Sequence, residues 1–246
     1  MDRIHLNETI STNTYFKEML QSGAELPGCT IADADFQTSG RGQAGNVWES
    51  KKGENLLFSI LCHPRMVEAR NQFLLSQVIA LAVWNTLDDL IEGVSIKWPN
   101  DIYWDEKKIC GILIECDLVG SRIENCICGV GLNINQTQFE SDAPNPVSLA
   151  QIVGFSFDRE KILNGVIGYF EKYYSLLEEG KEEEIRSTYK AHLFRKDGFF
   201  PFAEIDGEMF EAEIQDVEPD GLIILKDREG KTRKYEFKQI KWILNT

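Results

Sequence analysis

Between residues 94 and 133, four strand-like runs follow one another with no helix between them, and this limits the folds open to the chain. The runs are Val94 to Lys97, Ile102 to Trp104, Ile109 to Asp117 and Ile123 to Asn133. Asp105-Glu106-Lys107-Lys108 reads as the turn between the second and third. Consecutive strands without helical crossovers exclude a parallel doubly wound sheet and predict an α+β fold with a mixed or antiparallel sheet. Helices flank the run. Glu68 to Ile91 keeps an apolar stripe at a period near 3.6 residues. Ser148 to Val153 and Asp158 to Leu177 predict two more helices, the second capped by Asp158.

Further strands are expected at residues 3–9, 29–37 and 55–62. Ser11-Thr12-Asn13 reads as the cap of a helix from Tyr15 to Ser22. Residues 137–147 read as a polar loop bearing prolines, and the acidic run from Glu178 to Glu184 as a solvated helix end. From Gly198 onward the pattern changes to short strands. Asp206-Gly207, Asp220-Gly221 and Glu229-Gly230 punctuate them. We therefore divide the chain into residues 1–195 and a small C-terminal unit, 196–246, of SH3-like β-barrel character.

The formal net charge of −14 repels phosphate backbones, which argues against general nucleic-acid binding and leaves room only for a local basic pocket. Met1-Asp2-Arg3-Ile4-His5-Leu6 is no signal peptide, and no apolar run is long enough for a membrane span. A cytoplasmic setting is expected. The six cysteines, at 29, 62, 110, 116, 126 and 128, form no C-x-x-C. They read as reduced, buried thiols, and no metal ligands are assigned.

Gly40-Arg41-Gly42-Gln43-Ala44-Gly45 matches G-x-G-x-x-G in spacing only. No helix start follows it, and Arg65 stands where a dinucleotide site needs an acid. With Arg41 between two glycines, it reads as a pliant loop that cradles an anion and ends in Trp48. Gly111, Gly129 and Gly131 interrupt apolar strands, where glycine marks close approach of a ligand or backbone. Gly129 and Gly131 share a face and leave a slot for a flat, apolar ligand. Taken alone, Lys108 reads as a solvated turn lysine and Pro99-Asn100-Asp101 as a structural turn.

Together these stretches resemble the catalytic module of biotin protein ligases. The resemblance rests on Ser11-Thr12-Asn13, Gln37 with Gly40-Arg41-Gly42 through Trp48, Lys97-Trp98-Pro99-Asn100-Asp101, Lys107-Lys108 through Gly111 to Glu115, and Gly129 through Asn135. It is strong over about residues 4–135 and implies a class II synthetase-like ligase fold. The implied reaction has two steps: biotin and ATP, with Mg2+, give biotinyl-5′-AMP and pyrophosphate, and a lysine of a biotin carboxyl carrier protein then takes the biotin.

The resemblance implies catalytic roles for Lys108, Arg41 and Asp101. It implies biotin contacts from Ser11, Thr12, Asn13, Gln37, Gly40, Arg41, Gly42, Gln43, Trp48, Lys108, Gly111, Leu113, Gly129 and Gly131. ATP contacts would come from Arg41, Trp48, Asn100, Lys108 and Asn133. Many family members carry a second arginine where this chain has Gln43, so retention of the adenylate is expected to differ. The chain begins at the catalytic module, so no DNA contact is expected, and a sheet edge is a candidate homodimer contact. A lipoate or octanoate ligase and a non-catalytic biotin sensor are the competing readings. The four glycines at 40, 42, 45 and 53 predict a loop over residues 38–53 that closes on ligand.

Overall fold

The computed structural model describes residues 1–26, 28–140 and 145–244. The central layer is a seven-stranded mixed sheet. Its strands in chain order are β1 (Asp2–Leu6), β2 (Thr30–Ala34), β3 (Leu56–Cys62), β4 (Val94–Lys97), β5 (Asp101–Trp104), β6 (Lys107–Val119) and β7 (Arg122–Leu132). The spatial order is β1-β2-β3-β7-β6-β5-β4. Only β1 and β2 pair in parallel; the other neighbours are antiparallel, as the helix-free run from residue 94 requires.

Helix α1 (Thr12–Gln21) packs on one face of this sheet, where Phe16 meets Ala32, Leu61 and Ile127. The main core lies on the other face, under α2 (Phe73–Asp88), α3 (Leu149–Val153), α4 (Arg159–Glu178) and α5 (Glu182–Ala191). The expected single stripe on α2 is a correction. Leu74, Leu75, Val78, Ile79, Leu81 and Val83 are all at most 1% exposed, so the helix is apolar nearly all round. It lies between the sheet and α4 and α5 and has little solvent face to make polar. It also starts later than expected, after a 3-10 turn at Ala69–Asn71. A capping box at Ser148 and Gln151 starts α3, and Asp158 caps α4.

The acidic run is not simply a helix end. Glu182, Glu183 and Glu184 form the first turn of α5, where carboxylates complement the helix dipole. Four residues of the expected loop at 137–147, positions 141–144, lie outside the described residues.

After α5 come β8 (Phe200–Glu204), β9 (Met209–Val217), β10 (Ile223–Asp227), β11 (Thr232–Tyr235) and β12 (Ile240–Trp242), joined in one antiparallel sheet ordered β11-β10-β9-β8-β12. Gly207, Gly221 and Gly230 turn the chain at positive φ, as the Asp-Gly and Glu-Gly pairs require. The Trp98 indole donates to the Gly221 carbonyl at 2.9 Å and meets Phe237, which fixes this sheet beside the end of β4. Among the described residues, no helix is long and apolar enough to cross a membrane.

Candidate functional site

The site grows from the start of α1. Thr12 and Asn13, expected before the helix, form its first turn and are buried at 3% and 2% exposure. Buried polar groups must find partners. The Gln37 side-chain oxygen takes the Thr12 amide at 2.8 Å and its hydroxyl at 3.2 Å, doing for the helix end what Ser11 does not. Ser59 of β3 bonds Thr12 Oγ1 and Asn13 Oδ1, each at 2.6 Å. Asn13 Nδ2 then donates to the Leu113 carbonyl at 3.3 Å and to Glu115 Oε2 at 2.8 Å. A polar floor is thereby wired to β3, to β6 and to the loop after β2.

Strand register supplies the walls. Gly111 pairs with Gly131, and Leu113 with Gly129, so these residues line one face of β6 and β7. A β-carbon on Gly129 would strike the Asn13 amide, and one on Gly131 would strike the Trp48 indole. One on Gly111 would come within 2.8 Å of Trp48 Cζ3. Trp48 thus lies in the slot that the strand glycines open, and its Nε1 is buried without a partner. The open space beside it is about 50 Å³. A ligand that reaches Gly111 and Gly131 must displace this indole.

Lys108 reaches the same pocket through an irregularity. It lies in β6, not in the expected turn, which is confined to Asp105 and Glu106. The β5–β6 register shifts between Ile102 and Tyr103, so Lys108 rather than Ile109 faces Tyr103. Ile109 and Cys110 are both fully buried, and the bulge turns Lys108 to the glycine side. Lys108 Nζ pairs with Asp101 Oδ1 at 2.7 Å and stands 5.6 Å from the Trp48 ring centroid. Asn100 holds the neighbouring edge, its Nδ2 bonding the Ile112 carbonyl.

The glycine loop closes on itself through Trp48 N–H to the Gly40 carbonyl at 2.9 Å and Gly42 N–H to the Asn46 carbonyl at 2.7 Å. Gln43 begins a 3-10 turn and lines the pocket. Arg41 lies against Glu115, Nη2 to Oε2 at 2.9 Å and Nη1 to Oε1 at 3.3 Å, and Lys17 adds a contact at 2.7 Å. Glu115 is the site residue that sequence reasoning passed over. It is the third member of the alternation Gly111, Leu113, Glu115, which already put it on the ligand face.

Burial pushes the Glu115 carboxyl up. Hydrogen bonds from Lys17 and Asn13 and the charges of Arg41 and Lys17 outweigh this and hold it below the ordinary carboxylate range. Because the folded value is depressed, the attachment persists above the ordinary carboxyl pKa and is lost as pH falls through the lowered one. Glu115→Gln imitates that loss at neutral pH. Trypsin cleavage after Arg41 is expected to rise several-fold in this variant; an unchanged rate would show that Glu115 does not hold the loop.

The pocket therefore collects Ser11, Thr12, Asn13, Gln37, Arg41, Gly42, Gln43, Trp48, Asn100, Asp101, Lys108, Gly111, Leu113, Gly129 and Gly131. Gly40 stands just behind, against Gln37 and the Trp48 carbonyl. Asn133 is not brought into the pocket. It is 2% exposed, and its Nδ2 is committed to the Val147 carbonyl at 3.1 Å. Its Oδ1 is buried without a partner.

A family model described as the biotin/lipoate A/B protein ligase family matches residues 6–133. The bifunctional ligase/repressor BirA of Bacillus subtilis is 33% identical over 171 residues, 67% of this chain and 51% of that protein. Biotin–protein ligase 1, chloroplastic, of Arabidopsis thaliana is 33% identical over 165 residues, 62% of this chain and 42% of that protein. The chain thus spans about half the length of these relatives. A structure of the Aquifex aeolicus biotin protein ligase in complex with biotin and ATP superposes with a TM-score of 0.81 at 25% identity, covering 99% of each chain. The Leishmania major ligase in complex with biotinyl-5-AMP shares the fold, with a TM-score of 0.66 at 19% identity. The matched segment takes up more than half of the chain and includes every strand that lines the pocket. The chain belongs to the biotin/lipoate A/B protein ligase family.

Proposed function

We propose that the chain is a biotin protein ligase, which activates biotin with ATP and transfers it to a lysine of a biotin carboxyl carrier protein. The observation that carries this is the meeting of two cations, Lys108 and Arg41, with a wired polar floor and a glycine-walled slot. In the first step a biotin carboxylate oxygen attacks the α-phosphorus of ATP and pyrophosphate leaves. The two anions repel, and fixed positive charge is the main help a protein can give. Lys108 stands at the strand mouth where a carboxylate would lie. Arg41 sits on a loop that can bring it to the phosphates once Glu115 lets go. In the second step the carrier lysine must lose a proton before its amine attacks the acyl carbon and AMP leaves. Asp101 is the carboxylate available to take it.

Biotin suits the floor better than lipoate does. A ureido ring has two N–H donors and a carbonyl with which to exchange hydrogen bonds with Ser11, Thr12, Asn13 and Gln37, whereas a dithiolane ring has neither. The buried, partnerless Trp48 Nε1 is a donor that a bound nucleotide can satisfy once the indole moves. Among the described residues, Asp101 is the only carboxylate lining the pocket. That fits Mg2+ carried in on nucleotide phosphates rather than held in a protein cage.

The division at residue 195, the SH3-like reading of the C-terminal sheet, a cytoplasmic setting without DNA contact and a homodimer through a sheet edge belong to the same proposal. Its test is transfer of labelled biotin to a purified carrier domain with MgATP. Labelling is expected, and about a hundredfold excess of lipoate should leave it intact. Suppression by lipoate would favour the lipoate ligase reading, and binding of biotin without transfer or pyrophosphate release would favour the sensor. Biotin with ATP should also protect residues 38–53 from proteolysis; equal cleavage with and without them would count against loop closure.

A further inference from the structure

The sheet face opposite the pocket holds a group of sulfurs that the ligase reaction does not use. Cys62 of β3 is paired in register with Cys126 of β7, and Cys126 with Cys116 of β6. Cys128 follows Cys126 by two residues, on the same face. Cys62, Cys126 and Cys128 are fully buried, and their sulfurs all lie within 4.8 Å of one another. Cys126 Sγ is 3.7 Å from Cys128 Sγ and 3.3 Å from Cys116 Sγ. Cys29 lies just before β2, and the neighbouring Cys62 thiol and burial push its pKa up.

We propose that Cys62, Cys126 and Cys128 form a buried thiolate site for a thiophilic d10 cation, Zn2+ or Cu+, with Cys116 as the nearest further donor. A Zn–S bond of about 2.3 Å in a tetrahedral shell sets neighbouring sulfurs roughly 3.8 Å apart. The Cys126–Cys128 separation already meets this, and the third sulfur needs only a small rotamer adjustment. Two of the donors lie on one strand and the third on its directly paired neighbour, so the sheet ladder holds them in place without the ion. Only sulfur is offered, which selects soft cations and rejects Mg2+ and Ca2+.

An approach exists. A surface cavity of about 310 Å³ is lined by Met1, Gly28, Cys29, His63, Tyr174 and Glu178, and Cys29 and His63, which follows Cys62 in the chain, bring it towards the cluster. Binding exchanges each thiol proton for a metal–sulfur bond, the protons passing to solvent, and no electron is transferred. The ion would tie β3 to β7 beginning one residue along from Gly129, which lines the ligand pocket.

The test uses the full-length protein, reduced and stripped of metal. Titration with Co2+ is expected to give an intense near-ultraviolet thiolate-to-metal band that saturates at one equivalent. One equivalent of Zn2+ should abolish it, and excess Mg2+ should not. Cys126→Ala and Cys128→Ala should each weaken Co2+ binding about a hundredfold or more, and Cys110→Ala should not. Because core variants can fail to fold, alkylation of the unaltered protein provides a second reading. Zn2+ should protect Cys62, Cys126 and Cys128 and leave Cys110 as reactive as before. Absence of the band, or protection that maps to other cysteines, would overturn the proposal.

Discussion

Lys108→Ala is expected to lower pyrophosphate release from biotin and ATP by roughly two to three orders of magnitude, about 3–4 kcal/mol in the barrier. Among the described residues that line the pocket, Lys108 and Arg41 alone carry a fixed positive charge, and Arg41 is engaged by Glu115. Removing Lys108 leaves the approach of two anions opposed by Asp101, which has lost its 2.7 Å partner. That raises a second explanation for the loss, an unpaired carboxylate in the pocket. A double-mutant cycle separates the two. If the stranded Asp101 were the cause, Lys108→Ala with Asp101→Ala would recover most of the rate. The proposed mechanism predicts no recovery in the activation step, because the missing charge acts on the reacting groups themselves. The loss should fall mainly on kcat, since the cation matters most where negative charge is crowded together. A fall of less than tenfold would remove Lys108 from the chemistry.

The second large effect concerns two glycines that look alike in sequence and stand in different surroundings. A β-carbon at Gly131 would meet the Trp48 indole, which belongs to the glycine loop and can swing away. A β-carbon at Gly129 would meet Asn13, which Ser59, Glu115 and the Leu113 carbonyl hold in place. Gly131→Ala should therefore leave thermal stability nearly unchanged and weaken biotin binding about a hundredfold, because the slot is narrowed where the ligand lies. Gly129→Ala should damage both. Overpacking against an immovable buried group costs roughly 1–3 kcal/mol, or about 2–12 °C in Tm for a chain of this size. Calorimetry and equilibrium binding on the two variants decide the matter. Equal stability losses would show that Trp48 is as fixed as Asn13, and that the slot does not open by loop movement.

The same residues show how much of the molecule can be read from its sequence. The antiparallel run from residue 94, the shared face of Gly129 and Gly131 and the glycine turns of the C-terminal sheet follow from local periodicity and backbone chemistry. Each matches the structure. What escaped depends on other parts of the chain. Lys108 looked like a turn residue because its orientation is set by a bulge against β5, and no local pattern records a bulge. Helix α5 was hidden by its own N-terminal glutamates, which help a helix start and also resemble a solvated end. The buried polar chain from Gln37 through Thr12 and Ser59 to Asn13 joins three segments far apart in sequence. The clustered cysteines came together only through register: Cys62 and Cys126 are 64 residues apart and lie side by side.

Mass spectrometry under native conditions, after incubation with biotin and MgATP, tests the central proposal most directly. A species heavier than the protein by biotinyl-5′-AMP is predicted. It should require both ligands, disappear when a carrier domain is added and be absent from Lys108→Ala. Biotin bound alone, with no ATP-dependent gain in mass and no pyrophosphate in solution, would contradict it.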